Sequence, residues 1–350
     1  MTTAPDGLLP EWAPQSGVLL TWPHEGTDWR DQLVDAEACF AHIAGELARR
    51  TTVLVVCRDA GHAEHVRRAI ATAGGDPRRV RAYRAPSNDT WARDHGPLTV
   101  LRGGRPVLLD FRFNGWGGKY AADLDDGITR AIAAQGAFVG TPLESVELVL
   151  EGGSVESDGR GTVLTTRRCL LSPGRNPGLA ATDVEAALAR WLGARRVLWL
   201  EHGALDGDDT DGHVDTLARF CDAGTIAYQA CDDPRDPQHA GLAEMARELS
   251  ALRRPDGRPY ALVPLPLPAP VWDADGRRLP AGYANFLITN DAVLVPGYND
   301  AADGRARQAL ARCFPDREIV TVDCRPLVRE YGSLHCVAMQ LPAGVVPAEA

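Results

Sequence analysis

Four short stretches carry residue types that can do chemistry together. In GDDTDGHVDTLARF (207–220), an acidic turn of Asp208, Asp209 and Asp211 and a glycine lead into an apolar run holding His213 and Asp215. Read as extended chain, a two-residue period puts both side chains on one face, a proton carrier beside a carboxylate at a strand mouth. Alone, the pair also fits an edge strand with a polar face. Its company points further: NDTWARD (88–94) supplies Asp94, LEGG (150–153) supplies Glu151, and GSLHC (332–336) supplies Cys336.

A thiol beside a glycine turn can meet a substrate, and a nearby cation or imidazole raises its thiolate fraction from a resting pKa of about 8.5. Most cysteines instead end as small buried hydrophobes. His213 is a fitting proton carrier for Cys336 despite their distance in sequence. Asp94 and Asp215 then constrain the substrate, because each carboxylate can accept two N–H bonds from a planar guanidinium. Opposite charges roughly 4 Å apart attract by about 4 kcal/mol at an effective dielectric near 20, whereas without a cation the two acids repel. Glu151 could bond His213 or a third guanidinium nitrogen. The structural alternatives are a salt bridge from Asp94 to Arg93 or another arginine, and a turn-capping role for Glu151. Two other classes stay open here. A metal hydrolase would ligate its ion with His213, Asp215 and Asp94 and use Glu151 as base; a ring-shaped binding protein would owe nothing to Cys336.

Composition sets the frame for these residues. The chain of 350 residues, 45% hydrophobic and 24% charged, suits a soluble globular protein of one repeat-built domain or two ordinary ones. A net charge of −10 disfavours nucleic acid as a partner and would draw cationic solutes to an acidic cleft. With no basic-then-apolar leader and no apolar run of transmembrane length, the expected location is the cytoplasm, away from membranes. Eight cysteines without CxxC spacing argue against a disulfide framework or a structural zinc site. Cys57 in TVLVVC and Cys169 before a leucine pair read as inert core residues.

The elements that must position the site recur. Strand-like GVLLTW (17–22) leads to a helix with apolar residues stepping by three and four between Asp28 and Arg50, then to the strand TVLVVC (52–57). The same succession of strand, strand, helix and strand follows four more times, at a period of roughly 50 to 60 residues. NDTWARDHGPLTV begins one unit, with a helix expected near 121–135, and HVDTLARF begins another. HCVAMQL (335–341) is a terminal strand whose missing partners are those at the N-terminus. Five alike units, the last completed by both chain ends, suggest a propeller-like α/β ring with each unit's first strand delivering its leading residues to the centre. A doubly wound sheet would alternate in the same way.

NDTWARD, DFRFNGWGGKY, LEGGSVESDG, GRNP, GDDTDGHVDTLARF, LPAGYANFLITND, VPGYND and GSLHCVAMQ, in this order, resemble the agmatine deiminase family, related to bacterial-type peptidylarginine deiminases in the guanidine-modifying superfamily. The likeness covers nearly the whole chain. It implies a single α/β domain over 1–350, the five-bladed ββαβ propeller called the pentein fold, and hydrolysis of agmatine to N-carbamoylputrescine and ammonia without metal or organic cofactor. Carried over by motif, Cys336 is the nucleophile, His213 the general acid and base, Asp94 and Asp215 the guanidinium clamp, and Glu151 the orienter of His213 and the substrate. Trp91 resembles the pocket tryptophan beside the substrate's aliphatic part, and Asp209 and Trp116 of the NGWGG loop are expected to shape the far end. The expected partner is a small cationic guanidino compound, and a homodimer stays open as the assembly. Two departures bear on this. Many relatives have GGN where this chain has Tyr331, Gly332 and Ser333, and Arg112 stands where an uncharged residue is expected. An arginine there could bind the carboxylate of arginine or of a peptide C-terminus, which makes deimination of free or peptidyl arginine the alternative.

Overall fold

The computed structural model describes residues 6–347, so positions 1–5 and 348–350 of the expected domain lie outside the described residues. Five sheets form, each on the same plan. Leu98–Arg102 runs antiparallel to Arg105–Arg112, which pairs in parallel with Leu143–Val149, and Gly7–Leu8 adds an outer strand. Glu156–Ser157, Thr162–Thr166 and Arg196–Leu200 repeat this order, as do Ala218–Asp222, Thr225–Gln229 and Ala261–Leu265. Leu287–Ile288, Ala292–Gly297 and Glu318–Asp323 make the fourth set. In the fifth, Ala338–Pro342 lies antiparallel to Gln15–Thr21, which pairs in parallel with Thr52–Cys57 and then Val80–Arg84. Both ends of the chain thus build one sheet, as the repeat predicts.

Local chemistry explains the plan. A parallel pair needs a crossover, and the helices Leu33–Ala48, Ala181–Leu192, His239–Ala251 and Ala302–Cys313 supply it. The middle strands are covered on both faces, which is why Thr52–Cys57 and Ala292–Gly297 read as unbroken apolar runs. The antiparallel pair between Arg102 and Arg105 turns through Gly103 and Gly104, whose φ values of 57° and 73° match a two-residue turn of the twist that strands require.

Three elements differ from expectation. His213 and Asp215 are not on a strand: Val214–Thr216 is a 3₁₀ turn and the strand starts at Ala218. The Asp208 carboxylate accepts bonds from Thr210 N, Thr210 Oγ1 and Gly212 N, and Thr210 Oγ1 accepts from His213 N at 3.0 Å. Such side-chain-to-backbone bonds hold the turn against the extended form. Cys336 likewise precedes its strand, which opens at Ala338 after a turn closed by Ala338 N donating to His335 O. The helix expected near 121–135 shrinks to Ile128–Ala133 behind the 3₁₀ turn Asp125–Gly127.

Candidate active site

Turns at the starts of the units meet around Gly153. A Cβ placed there would lie 2.6 Å from His213 Nδ1, 2.9 Å from Asp94 Oδ1 and 3.1 Å from Asp215 Oδ2. The glycine therefore marks the point where three expected residues converge, and its N–H donates to Asp94 Oδ1 at 3.0 Å. Asp94 sits on the one-turn helix Ala92–His95, and Arg93 N donates to Cys336 O at 3.0 Å. That bond fixes the carboxylate's turn against the thiol's turn.

Each group has a distinct bonding state. Asp94 Oδ2 accepts from Trp116 Nε1 at 3.0 Å. Asp215 Oδ2 faces His335 Nδ1 at 2.8 Å and accepts from Asn285 Nδ2 at 3.2 Å, whereas its Oδ1 is buried without a partner. Both ring nitrogens of His213 are also buried without a hydrogen bond, with Nδ1 3.6 Å from Asp94 Oδ1. Buried polar atoms are rarely left unpaired, so these three mark where a polar ligand or a proton would be received. Cys336 is 5% exposed and its Sγ donates to Asn285 Oδ1 at 3.4 Å.

Burial and carboxylate charge set the protonation of these groups. Asp94 is pushed up to about 6, first by burial, with His213 opposing and Asp215 and Glu151 adding to the rise. Burial by itself would lower His213, but Asp94, Cys169 and Glu151 outweigh it and hold the imidazole well above its ordinary value. Asp215 goes the other way, since His335, His213 and Arg219 overcome its burial. Burial, then Asp215 and Asp94, push the Cys336 thiol well above the usual range, which keeps the sulfur protonated.

Beneath the site a buried ion network braces Asp215. His335 Nε2 faces Glu11 Oε2 at 2.6 Å, Arg219 Nη2 donates to Glu11 Oε2 at 2.7 Å, and Arg219 Nε reaches Glu156. Arg219 is fully buried, with its guanidinium 4.8 Å above the Phe286 ring. Removing one member of such a network leaves an uncompensated charge at a cost of about 3–5 kcal/mol.

Cys336 stands at the base of a cleft whose walls are aromatic and whose polar groups are acidic. Trp91 and Trp116 meet edge to face with centroids 6.5 Å apart, and Trp116 meets Tyr120 at 5.5 Å. Asp89 accepts from the indole nitrogens of Trp29 at 2.7 Å and Trp91 at 2.8 Å. A Cβ at Gly332 would run into the Trp91 ring, so only glycine fits where the Cys336 turn crosses that indole. The lining includes the carboxylates Asp28, Asp89, Asp94, Asp209 and Glu330 and, among the described residues, no lysine or arginine. Three non-glycine residues around it, Trp116, Asp211 and Tyr331, hold positive φ values of 55°, 65° and 63°. Each costs of order 1 kcal/mol, a strain that functional sites tolerate.

The structure brings Cys336, Asp94, Trp91, Trp116 and Asp209 to one cleft and places His213 and Asp215 directly behind it. Glu151 differs from expectation: it is fully buried off the cleft, and both its oxygens accept from Arg175 Nε, at 2.8 and 3.0 Å. Arg175 in turn donates to Asp211 Oδ2 at 2.6 Å and Thr210 O at 2.7 Å, which ties Glu151 to the turn before His213 rather than to its ring. Trp116 also differs, with its N–H on Asp94 at the sulfur end instead of the far end. Arg112 is half-exposed, lies 3.5 Å from Asp126 Oδ2 and does not line the cleft.

Sequence reasoning missed Asn285, His335, Arg175 and Cys169. The first three lie in the quoted stretches LPAGYANF, GSLHC and GRNP but carry no spacing that distinguishes them from structural polar residues. Cys169 is buried as expected, yet its sulfur lies beside the His213 ring. Glu151, Cys169 and His213 hold ligand-type atoms within 4.8 Å of one another, as do Glu11, Glu156 and His335. These sets differ from the Asp94, Asp215 and His213 ligands a metal hydrolase would need, and arginines 175 and 219 already occupy their carboxylates.

The comparisons agree over nearly the full length. The model of the Porphyromonas-type peptidyl-arginine deiminase family matches residues 7–342. An agmatine deiminase of Stutzerimonas stutzeri is 35% identical over 96% of this chain and 95% of its own. A substrate-bound cysteine-to-serine variant of agmatine deiminase from C. jejuni superposes with a TM-score of 0.90 at 34% identity, covering 97% of each chain. A Porphyromonas gingivalis structure, provisionally named arginine deiminase, gives 0.91 at 50% identity over 98% of this chain and 100% of that one. With the thiol, imidazole and paired carboxylates gathered on a fold shared this widely, the chain belongs to the Porphyromonas-type peptidyl-arginine deiminase family.

Proposed function

We propose that the protein is an agmatine deiminase, hydrolysing agmatine to N-carbamoylputrescine and ammonia in the cytoplasm, as a step toward putrescine. The observation that carries this reading is the lining of the cleft. Carboxylates stand at both ends, Asp94 near the sulfur and Asp209, Asp28 and Glu330 toward the mouth, with indole walls between them. Agmatine has a guanidinium at one end, an ammonium at the other and four methylenes between. Arginine would bring its carboxylate against that acidic mouth, and like charges there cost binding.

The chemistry follows from the bonding states. The guanidinium lies between Asp94 and the unpartnered Oδ1 of Asp215, its central carbon facing Cys336 Sγ, and this fixed placement removes much of the entropic cost of attack. Its positive charge offsets the two carboxylates that hold the thiol protonated, so substrate binding favours the thiolate. Sulfur adds to the carbon, His213 gives its proton to the departing nitrogen, and ammonia leaves an S-linked amidino group. A water deprotonated by the now neutral His213 adds to the same carbon, and collapse frees the ureido product and the thiol. Glu151 acts through Arg175 and the 210–211 turn to hold His213. For the architecture we read the five units as blades of one propeller over the whole chain, closed where Ala338–Pro342 meets Gln15–Thr21.

The deciding assay measures ureido product and ammonia from agmatine, free arginine and a peptide with C-terminal arginine. A kcat/KM for agmatine at least 100-fold above the others is expected. Preference for either arginine substrate would overturn the reading and support the activity suggested by the name of the Porphyromonas neighbour.

A further inference from the structure

Of the 37 lysines and arginines in the chain, 36 are arginine, and the single lysine is Lys119 in the NGWGGKY loop. Its Nζ donates to Asp209 O at 2.5 Å and to Asp211 Oδ1 at 2.8 Å. The next residue, Tyr120, lines the cleft and donates its hydroxyl to Asp209 Oδ2 at 2.7 Å. The loop before them is held in an uncommon form: Gly115, Trp116, Gly117 and Gly118 have φ values of 66°, 55°, 89° and 82° in succession. Left-handed residues normally occur singly, so a run of four depends on what ties its ends. At the near end Asn114 Nδ2 donates to Gly174 O at 3.0 Å. At the far end the ties are Lys119 and Tyr120.

The geometry points to Lys119 as a positioning residue for deimination, its ammonium strapping the loop that aims Trp116 at Asp94 to the turn that carries His213. The inference rests on the proposed reaction in taking His213 and Asp94 as working parts. Asp211 stands two residues before His213, at a φ of 65°. One of its oxygens accepts from Lys119 and the other from Arg175 Nη1, at 2.6 Å. The turn is thus gripped from two sides, by Arg175 from the interior, where it also holds Glu151, and by Lys119 from the loop outside. Within that loop Trp116 Nε1 donates to Asp94 Oδ2 at 3.0 Å. One strap therefore sets a clamp carboxylate and the proton carrier in a common register.

The acceptors explain why this cation is a lysine in a chain that otherwise uses arginine. They are a main-chain oxygen and a carboxylate oxygen from residues two apart, which a compact ammonium with three N–H groups meets from one point. A guanidinium is planar and bulkier, and its fork suits the paired oxygens of one carboxylate. The side chains of Lys119 and Asp211 are 37% and 23% exposed, and an ion pair so placed adds little to global stability. Its loss acts on the placement of reacting groups, where a shift near 1 Å costs roughly 10²-fold in rate.

The experiment compares the full chain with Lys119→Met, which keeps the stem and removes the ammonium, and Lys119→Arg, which keeps the charge. Kinetics are measured on whichever of agmatine, arginine and the arginine peptide the parent turns over fastest, so a change of assigned substrate leaves the comparison intact. Lys119→Met should lower kcat about tenfold, with KM within about threefold and the thermal midpoint nearly unchanged. Lys119→Arg should recover part of that loss. A second readout needs no substrate: the indole N–H resonance of Trp116 in the isotopically labelled chain, assigned by its disappearance in Trp116→Phe, should move in Lys119→Met. Since the only other amine is the N-terminus, acetylating the amines of the parent should reproduce the fall in kcat, and the same treatment of Lys119→Met should not lower it further. The inference is overturned if Lys119→Met keeps kcat within about twofold of the parent, if Lys119→Arg is no better than Lys119→Met, or if the Trp116 resonance stays in place.

Discussion

Gly153→Ala tests the convergence of the site more sharply than removal of any one charged group. The substitution adds a single methyl at a position whose backbone any residue can adopt, so its effect is confined to space. The new Cβ would stand 2.6 Å from His213 Nδ1, 2.9 Å from Asp94 Oδ1 and 3.1 Å from Asp215 Oδ2. The imidazole is then about 0.8 Å inside ordinary contact, and it is fully buried with Cys169 and Glu151 close by. His213 and the carboxylates must move apart, and a misplacement near 1 Å costs roughly 10²-fold in rate, or about 2.7 kcal/mol of barrier. We expect kcat/KM for agmatine to fall about 100-fold, with a stability loss of about 1–3 kcal/mol from overpacking a buried position. Steady-state kinetics with calorimetry on the same preparation measures both. A folded Gly153→Ala protein within threefold of parental activity would refute the view that these groups crowd one point.

Titration of the Cys336 thiol should give a lower pKa with a non-reacting guanidinium ligand bound than without it, because the ligand neutralises Asp94 and Asp215; equal values would remove substrate-assisted ionisation. The acid limb of kcat/KM should lie near pH 6, since Asp94 loses its negative charge, and its grip on a cation, as pH falls through that value. Trp116→Phe removes a hydrogen bond that lowers Asp94, so the limb should move to higher pH, and an unmoved limb would show that another group governs it. Arg112→Ala should change kcat/KM for agmatine less than twofold, because Arg112 faces Asp126 outside the cleft; a tenfold change would put Arg112 back among the substrate contacts.

The repeat of strand, strand, helix and strand was readable because each element carries its own pattern: a period near two or an unbroken apolar run for the strands, and steps of three and four for the helices. Register at the ends was not. Asp208 and Thr210 divert the chain at His213 through bonds that look, in sequence, like ordinary acidic-loop composition. Cys336, His213, Asp94 and Asp215 could be named since their types suit a guanidinium and they stand at unit starts. The groups that brace them could not. His335 and Asn285 matter through contacts with residues 120 and 70 positions away, and Arg175 was legible only as part of a motif. The residues left Glu151 open between His213 and a guanidinium nitrogen, and the orienting role came from the resemblance; a buried arginine, which needs its charge matched, takes both oxygens.

The strand Ala338–Pro342 finds its partner in Gln15–Thr21, and Ser16 reaches across 326 positions to bond Pro342. That sheet therefore stays unfinished until residues 338–342 are in place, and the turn carrying Cys336, the proposed nucleophile, is set by the same closure. A chain cut before residue 336 would keep the acids and the imidazole of the cleft but lack the thiol proposed to attack.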